Sequence, residues 1–580
     1  MKNTSKYLIY YLSLFFWFAV VFLYFLPPVY YIFALDFILT LIIIFKLVKN
    51  EEFKVNRGVA QGFLLIFVVF SILIPFYSPV FPPFIFVSLI VFLFLFYISD
   101  IKLIYLKTIL MILPFVAIPY SLLFKQKEFS FIYKNNSILG FLFLLGIVFF
   151  RKDRLMLGIF LFSSLLTFSK STYLALSLLI IYYAYSELKL KAKKYLFGIA
   201  FILLILVALF YKATVSEPFF GGRLNIWKTA IKTGTKNLPL GVGGFNFSFY
   251  SDQYKEAKKT DIGKNFEFYR EYLKGRKILK VYNIKRVRYE HNLYLKLFAE
   301  YGIFGIILAF VLIFLFFKIF ENKEDEKKYL AIIMLIFSCI QNFSLSYVFI
   351  LPFLLTILSP IEKKEFSLKR QEVFFLINVY ILLFSFPLFL NEFFIRKGEV
   401  ELSKKIINFD YRPDYIKFNG DFKILKNNPN LKNLYRLKIE GERSLILNRR
   451  LKSVYSILSF SFYNFMREND KNTLIGKEAY SYAKEWLRLE PSSPIALLHM
   501  GKIFVKEGRL EEAEEFVEKA LEFEPFYLNA LYNLKNIYRF KGKSDKVALL
   551  ERVIKKIMKE REKYRFLGSA PYEKIILGYY

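Results

Sequence analysis

The chain has 580 residues, of which 56% are hydrophobic and 20% aromatic, and its mean hydropathy is positive. That composition argues against a string of soluble domains and describes a protein threaded repeatedly through a bilayer. The formal charge of +34 favours anionic partners, meaning phosphate head groups or phosphate-linked substrates before nucleic acid. The single cysteine, Cys339, excludes an intramolecular disulfide framework and a Cys-rich metal site.

The first apolar segment, Tyr7 to Leu26, is too long for a signal-peptide core and has no small-residue cleavage site after it, so it reads as a retained helix. Further spans are predicted at 29–45, 59–77, 84–98, 103–123, 137–150, 155–168, 172–186 and 195–211, then at 292–317, 329–347, 348–360 and 372–394. The fold class expected is all-α, a polytopic membrane helical bundle of about 12–13 spans. Lysines and arginines cluster in alternate connections, which marks the cytoplasmic side. The clusters are Lys46, Lys49, Lys54 and Arg57; Arg151, Lys152 and Arg154; Lys189, Lys191, Lys193 and Lys194; and Lys363, Lys364, Lys369 and Arg370. Counting spans from them puts the polar stretch between the two sets of helices, and everything after the last span, on the outer face. The loop Lys125 to Lys134 carries three lysines on that outer face, against the rule.

Four regions follow: membrane helices over 1–212, a large external loop over 213–291, membrane helices over 292–395 and an external soluble helical domain over 396–580. In the loop, Arg223 begins a segment, Leu224 to Thr233, that reads as an amphipathic helix. Gly234, Pro239, Gly241, Gly243 and Gly244 then form a turn whose N–H groups are expected to cup phosphate oxygens. Lys255 to Lys285 is basic and ends in Lys285-Arg286-Val287-Arg288, before Tyr289-Glu290-His291-Asn292. The plainer reading of these charges is a solvated loop touching anionic lipid heads. His291 has no second His or Cys nearby to build a metal site, and an imidazole with an ordinary pKa of about 6.5 suits proton transfer at neutral pH.

His291-Asn292, nine residues, Gly302, two residues and Gly305 resemble the spaced His–Gly pattern of the O-antigen ligase and O-antigen polymerase superfamily. Arg223-Leu224-Asn225-Ile226-Trp227 with Ala230, Pro239, Gly241, Gly243 and Asn246 resembles the start of that family's external loop, and the resemblance runs over about residues 140–360. It implies a metal-independent, cofactor-free, inverting transfer of a glycan from an undecaprenyl-diphosphate donor to an acceptor hydroxyl on a glycan, lipid or protein. Arg223 would hold the departing diphosphate, with Arg286 and Arg288 as further contacts. His291 would be the general base on the acceptor hydroxyl, or would orient it while the electrostatics lower the barrier, supported by Trp227, Asn292, Gly302 and Gly305. The family has a second arginine at the outer end of an earlier span, where this chain has Lys170; lysine keeps the charge and loses the bidentate fork. The plainer role for Lys170 is a snorkelling interfacial lysine.

In the C-terminal part, Pro491 and Pro525 stand 34 residues apart, with Leu497, Gly501, Phe504, Gly508, Ala513 and Ala520 at tetratricopeptide spacing. A weaker copy runs through Leu531, Leu534, Tyr538 and Gly542, and Ala479 with Ala483 suggests a decayed one before. Two to three repeats over about 460–556 would present a concave surface to a protein partner. His499 reads as a surface or packing residue, and 396–460 shows no usable motif. A lipid-linked saccharide transporter or flippase, and a membrane scaffold working through its repeats, stand as alternatives. The site expected is the inner membrane of the cell, multi-pass, with the loop and C-terminal domain outside the cytoplasm.

Overall fold

The computed structural model describes residues 53–77, 136–166, 170–187, 219–255, 259–263, 265–274, 292–320, 365–467 and 473–560, with isolated positions elsewhere. The predicted spans at 29–45, 84–98, 103–123, 195–211, 329–347 and 348–360 lie largely or wholly outside them, as do Tyr7 to Leu26, the loop Lys125 to Lys134, Cys339, His291, Arg286 and Arg288. The chain divides into two compact units. One comprises 1–247 and 289–410, the other 248–288 and 411–580.

In the first unit the described elements are helical apart from one short ribbon. They are β1 (Phe53–Asn56), α1 (Arg57–Leu73), α2 (Asn136–Phe149), α3 (Arg154–Leu166), α4 (Lys170–Glu187), α5 (Phe219–Lys236), α8 (Leu293–Phe320), β2 (Glu365–Leu368), α9 (Arg370–Tyr380), α10 (Phe386–Lys397) and α11 (Val400–Ile406). Of these helices, α1, α2, α3, α4, α8, α9 and α10 fall where apolar runs predict spans, while α5 and α11 lie in stretches expected outside the membrane. Two are long and apolar enough to cross a membrane, Leu293–Val311 and Gln371–Lys397, the latter continuous through a π turn at Ile381–Ser385. Large apolar side chains stand exposed along them: Ile307, Phe310 and Phe314 on α8, and Phe374 and Phe375 on α9. Water would not tolerate such a belt on a stable monomer, whereas lipid does. The strands pair antiparallel, with Phe53 opposite Leu368 and Asn56 opposite Glu365. Two of the basic clusters, around Lys54 and Lys369, are thereby brought together.

The second unit contains α6 (Phe247–Tyr254, from its second residue) and α7 (Glu267–Leu273) from the loop, followed by α12 (Arg412–Asn427), α13 (Leu431–Leu447), α14 (Lys452–Phe465), α15 (Leu474–Leu489), α16 (Pro494–Lys506), α17 (Leu510–Phe523), α18 (Leu528–Phe540) and α19 (Ser544–Glu560). The eight C-terminal helices pack as successive antiparallel pairs, α12 with α13 through α18 with α19. Gly508 and Gly542 explain the spacing of the last two pairs. Each takes a positive φ, +74° and +67°, just past a helix end, and the residue after it bonds back to Phe504 or Tyr538. This left-handed C-cap turns the chain sharply into the next helix. The small residues at repeat positions are buried: Ala513, Ala520 and Gly501, the last packed against Val517.

His499 is a packing residue of this unit. It is buried, with Nε2 2.9 Å from the Ser459 hydroxyl and its ring 3.8 Å from that of Phe460. Burial, and then the Lys502 cation, lower its pKa to about 3. Glu524, in the turn between α17 and α18, is pushed the other way, to about 7, by burial. Between about pH 4.5 and pH 7 the folded state holds a proton on Glu524 that the unfolded state releases, so this group's contribution to stability falls as pH rises through that window. His499 acts with the opposite sign: the unfolded ring takes a proton below about pH 6.5 that the folded ring refuses, so its contribution is lost as pH falls. Glu524→Gln should therefore raise the melting temperature of the repeat unit at pH 8 and leave it nearly unchanged at pH 5. Melting curves of both proteins across that range check it, and a constant difference between them would refute it.

Candidate active site

The site is organised by a break in α8. The helix begins at Leu293, capped by Asn292, whose Oδ1 accepts the Leu295 N–H at 3.0 Å. The residue that follows His291 therefore fixes the helix start. At Gly302 the backbone leaves helical geometry, with φ 55° and ψ −125°, a combination open in practice to glycine. The break separates Ala299 O from its helical donor, Ile303 N–H. Ile303 N–H bonds instead to Pro239 O at 2.9 Å, while Ala299 O accepts from Val242 N–H at 3.1 Å and Glu300 O from Gly243 N–H at 2.6 Å.

The partner of the break is the turn after α5. It contains a cis Leu238–Pro239 bond and positive φ at Gly241 and Gly243. A Cβ on Gly302 would overlap the Pro239 carbonyl, and one on Gly241 would lie 2.5 Å from the Glu300 carbonyl carbon. Gly305 has the same reason to lack a side chain, because its α-carbon abuts the Leu297 carbonyl. Gly241 N–H bonds to Asn237 O at 2.8 Å. The turn was expected to offer its N–H groups to phosphate; those of Val242 and Gly243 are instead committed to carbonyls that the broken helix leaves to be satisfied, and that of Gly241 to Asn237 O within the turn. Asn246 locks the far side, its side-chain amide donating to Val242 O at 2.9 Å and Pro79 O at 3.0 Å, and the Tyr77 hydroxyl donates to Leu240 O at 3.1 Å.

Two charged residues in this region were not singled out from the sequence. Lys296 and Glu300, four residues apart on α8, are 4% and 2% exposed and lie 3.8 Å apart. Lys296 Nζ also sits 4.8 Å from the Phe245 ring centre. Ionisable groups within an apolar helix are costly and tend to be functional; two of them in an otherwise apolar run, directly after His291-Asn292, were the available signal.

The predicted site residues fall as follows. Arg223 is in the first turns of α5, where the backbone is described and the side chain is not. Trp227 is on the same helix, and its indole N–H is buried with no acceptor among the described residues. Thr229, Ala230 and Thr233 are buried, and Gly234 meets the Phe298 ring, so α5 packs against α8. Lys170 is the first residue of α4, again with only its backbone described. That helix is seated on α2 by close contact of Gly140 with Thr172, and the Tyr173 hydroxyl donates to Leu165 O at 2.6 Å across the turn from α3. A cation at a helix N-terminus opposes the helix dipole, so Lys170 is not there to stabilise α4. Among the described residues no group of three or more His, Cys, Asp or Glu side chains could hold a metal ion.

Residues 155–310 match the family described as O-antigen ligase, so an O-antigen ligase domain occupies that stretch. The chain is also 39% identical over 82 residues to anaphase-promoting complex subunit 7 of Arabidopsis thaliana, a match covering 14% of each protein. A structural alignment to the crystal structure of MamA protein covers 32% of this chain and 97% of that one at 16% identity and a TM-score of 0.23. The repeat architecture of the C-terminal unit rests on its own helix pairing.

Gly302→Ala should be severely destabilising, since it combines an unfavourable backbone angle with overlap at Pro239. Gly158→Ala, at a position with no neighbour within 4 Å, should be tolerated. Thermal unfolding of the two variants in detergent checks the contrast. Glu300→Gln removes the carboxylate 3.8 Å from the buried Lys296 cation and should lower the melting temperature in detergent. The double variant Lys296→Met/Glu300→Gln should recover much of that loss.

Proposed function

We propose that this protein is a metal-independent inverting glycosyltransferase. It would move a glycan from an undecaprenyl-diphosphate carrier to an acceptor hydroxyl, at the extracytoplasmic face of the inner membrane. The observation that carries the reading is that the O-antigen ligase match over 155–310 takes in Lys170, Arg223, His291, Gly302 and Gly305, together with the interlocked turn and helix break that give both glycines a physical reason. In the reaction the bond from the anomeric carbon to the diphosphate oxygen breaks as the acceptor oxygen bonds to the opposite face of that carbon. The acceptor's proton passes to His291, and the lipid diphosphate departs with an added negative charge.

Each residue has a role in that charge flow. Arg223 holds the departing diphosphate with charge-assisted hydrogen bonds that strengthen as the charge develops. Lys170 adds a point charge, and Arg286 and Arg288 supply further contacts. His291 orients and deprotonates the acceptor. The Trp227 indole N–H is a further donor for substrate. The Lys296–Glu300 pair lies in the first turns of the helix that follows His291 and would hold the start of that helix in place. Membrane lipids and a glycan, lipid or protein acceptor are the partners.

His291→Ala should lower transfer by about 10²–10⁴-fold, and Arg223→Ala should fall comparably. Arg223→Lys should restore part of the activity, because charge is kept while the fork is lost. Proteoliposomes loaded with a lipid-diphosphate-linked glycan provide the assay. Near wild-type transfer by His291→Ala and Arg223→Ala proteins, correctly folded, would rule the mechanism out.

A further inference from the structure

The helix pairs of the second unit repeat one arrangement, so their second helices, α13, α15, α17 and α19, can be compared. A stack of repeats stays soluble when the helices at its ends turn a polar face outward. Among the described residues α17 exposes no large apolar side chain, α15 only Leu474 and α19 only Met558. The second helix of the first pair differs. Leu431, Ile439 and Ile446 of α13 are 50%, 51% and 73% exposed, and their spacing of two turns puts them on one side of the helix. The partner helix α12 adds exposed Ile416 and Ile424.

Beside this apolar row runs a basic one. Lys432, Arg436 and Arg443 project from the adjoining side of α13, and Lys423 stands exposed on α12. Arg436 and Arg443 reach Asp421 and Glu440 at 3.0 and 2.7 Å, but those carboxylates are buried while the arginine side chains stay 56% and 51% exposed, so the cations face outward. The other acid of α13, Glu442, is engaged by Lys438 at 3.7 Å and by the Tyr482 hydroxyl at 2.9 Å.

We propose that the outer face of α13 docks on an anionic bilayer surface, its aliphatic side chains entering the head-group layer and its cations meeting lipid phosphates. A row of aliphatics edged by lysine and arginine is what such a surface selects, since apolar burial and attraction to the phosphates then act together. Chain connection favours lipid over a soluble protein. The α9–α10 helix ends at Lys397 and α12 begins at Arg412, and the stretch between, part of it coiled into α11, extends at most a few tens of ångströms. A bilayer held so near is present at high effective concentration. The connection itself carries exposed Leu402, Lys405 and Ile406 on α11. The docking rests on Gln371–Lys397 lying in the bilayer and not on the transfer reaction.

The test uses the full-length protein in a Cys339→Ala background, with an environment-sensitive fluorophore on Ile439→Cys and one copy in each nanodisc. The discs contain either phosphatidylethanolamine with phosphatidylglycerol or phosphatidylcholine alone, each with a trace of lipid carrying a nitroxide at its head group. In the anionic discs the emission should shift to the blue and be quenched by the nitroxide. In phosphatidylcholine, or in anionic discs at high salt, quenching should fall by about half or more. A fluorophore on Lys555→Cys, in α19, should stay unquenched throughout. Lys423→Glu/Lys432→Glu should weaken docking about tenfold or more while leaving the melting of the repeat unit unchanged. Water-like, unquenched emission from position 439 in anionic discs would overturn the proposal, as would quenching indifferent to lipid charge, salt and both lysines. Blue-shifted emission without quenching would assign the face to a protein contact and overturn it as well.

Discussion

The first unit depends on one exchange of backbone hydrogen bonds. An intact α8 would satisfy Ala299 O with Ile303 N–H, and nothing could be attached there. Because Gly302 breaks the helix, that donor and acceptor bond instead to Pro239 and Val242, and Glu300 O takes Gly243 N–H. The turn after α5 and the helix after His291 therefore complete each other's hydrogen bonding. A buried backbone group without a partner is expensive, so neither can move without the other. The helix that carries Arg223 and the helix that follows His291 become one piece at this point. If Arg223 and His291 act together as proposed, residues so far apart in sequence need such a joint to hold their spacing.

How much of this was legible varied with the kind of physics involved. Apolar run length marks α2, α3, α4, α8 and the α9–α10 helix to within a few residues, because a bilayer-scale stretch without charges has few other structural uses. Gly302 and Gly305 were visible as a spacing, but their reason was not, since sequence displays a donor's absence of side chain and never its acceptor. The same blindness explains the misreading of Gly241 and Gly243 as a phosphate cup. Glycine richness signals backbone freedom, and what the freed N–H groups bond to is decided elsewhere: by Asn237 O for Gly241, and by Glu300 O of the distant α8 for Gly243. The division of the 213–291 stretch between the two units was hidden for a similar reason. Its marker was the run Phe266, Phe268, Tyr269 and Tyr272 within a basic stretch, an aromatic density that solvated loops rarely carry.

The repeats show why sequence periodicity fades before structure does. The α16–α17 and α18–α19 pairs keep glycine at the turn, and the first of them keeps alanine at the crossing. The first pair instead buries Asp414, Asp421 and Glu440. Glu440 lies 3.2 Å from Lys417 and 2.7 Å from Arg443, and Asp421 lies 3.0 Å from Arg436. Packing of that kind fills the same space with ion pairs, so the helices stack as before while the small-residue signature disappears. Polar groups buried in this way specify geometry without adding much stability, which suits an edge whose position matters more than its depth.

Chain continuity carries the last step. A domain appended after the final span would be tied to the membrane unit at Asp410 alone, and its influence on catalysis would be that of a tether. Here the chain passes from the first unit to the second after Phe247, returns at Tyr289, and crosses again after Asp410. The first of these crossings comes just after the glycine turn, and the second just before Asn292, the cap of the helix to which that turn is bonded. Within the second unit the repeat helices and α7 share one core, and the aromatic cluster around Tyr269 and Phe526 supplies the fit.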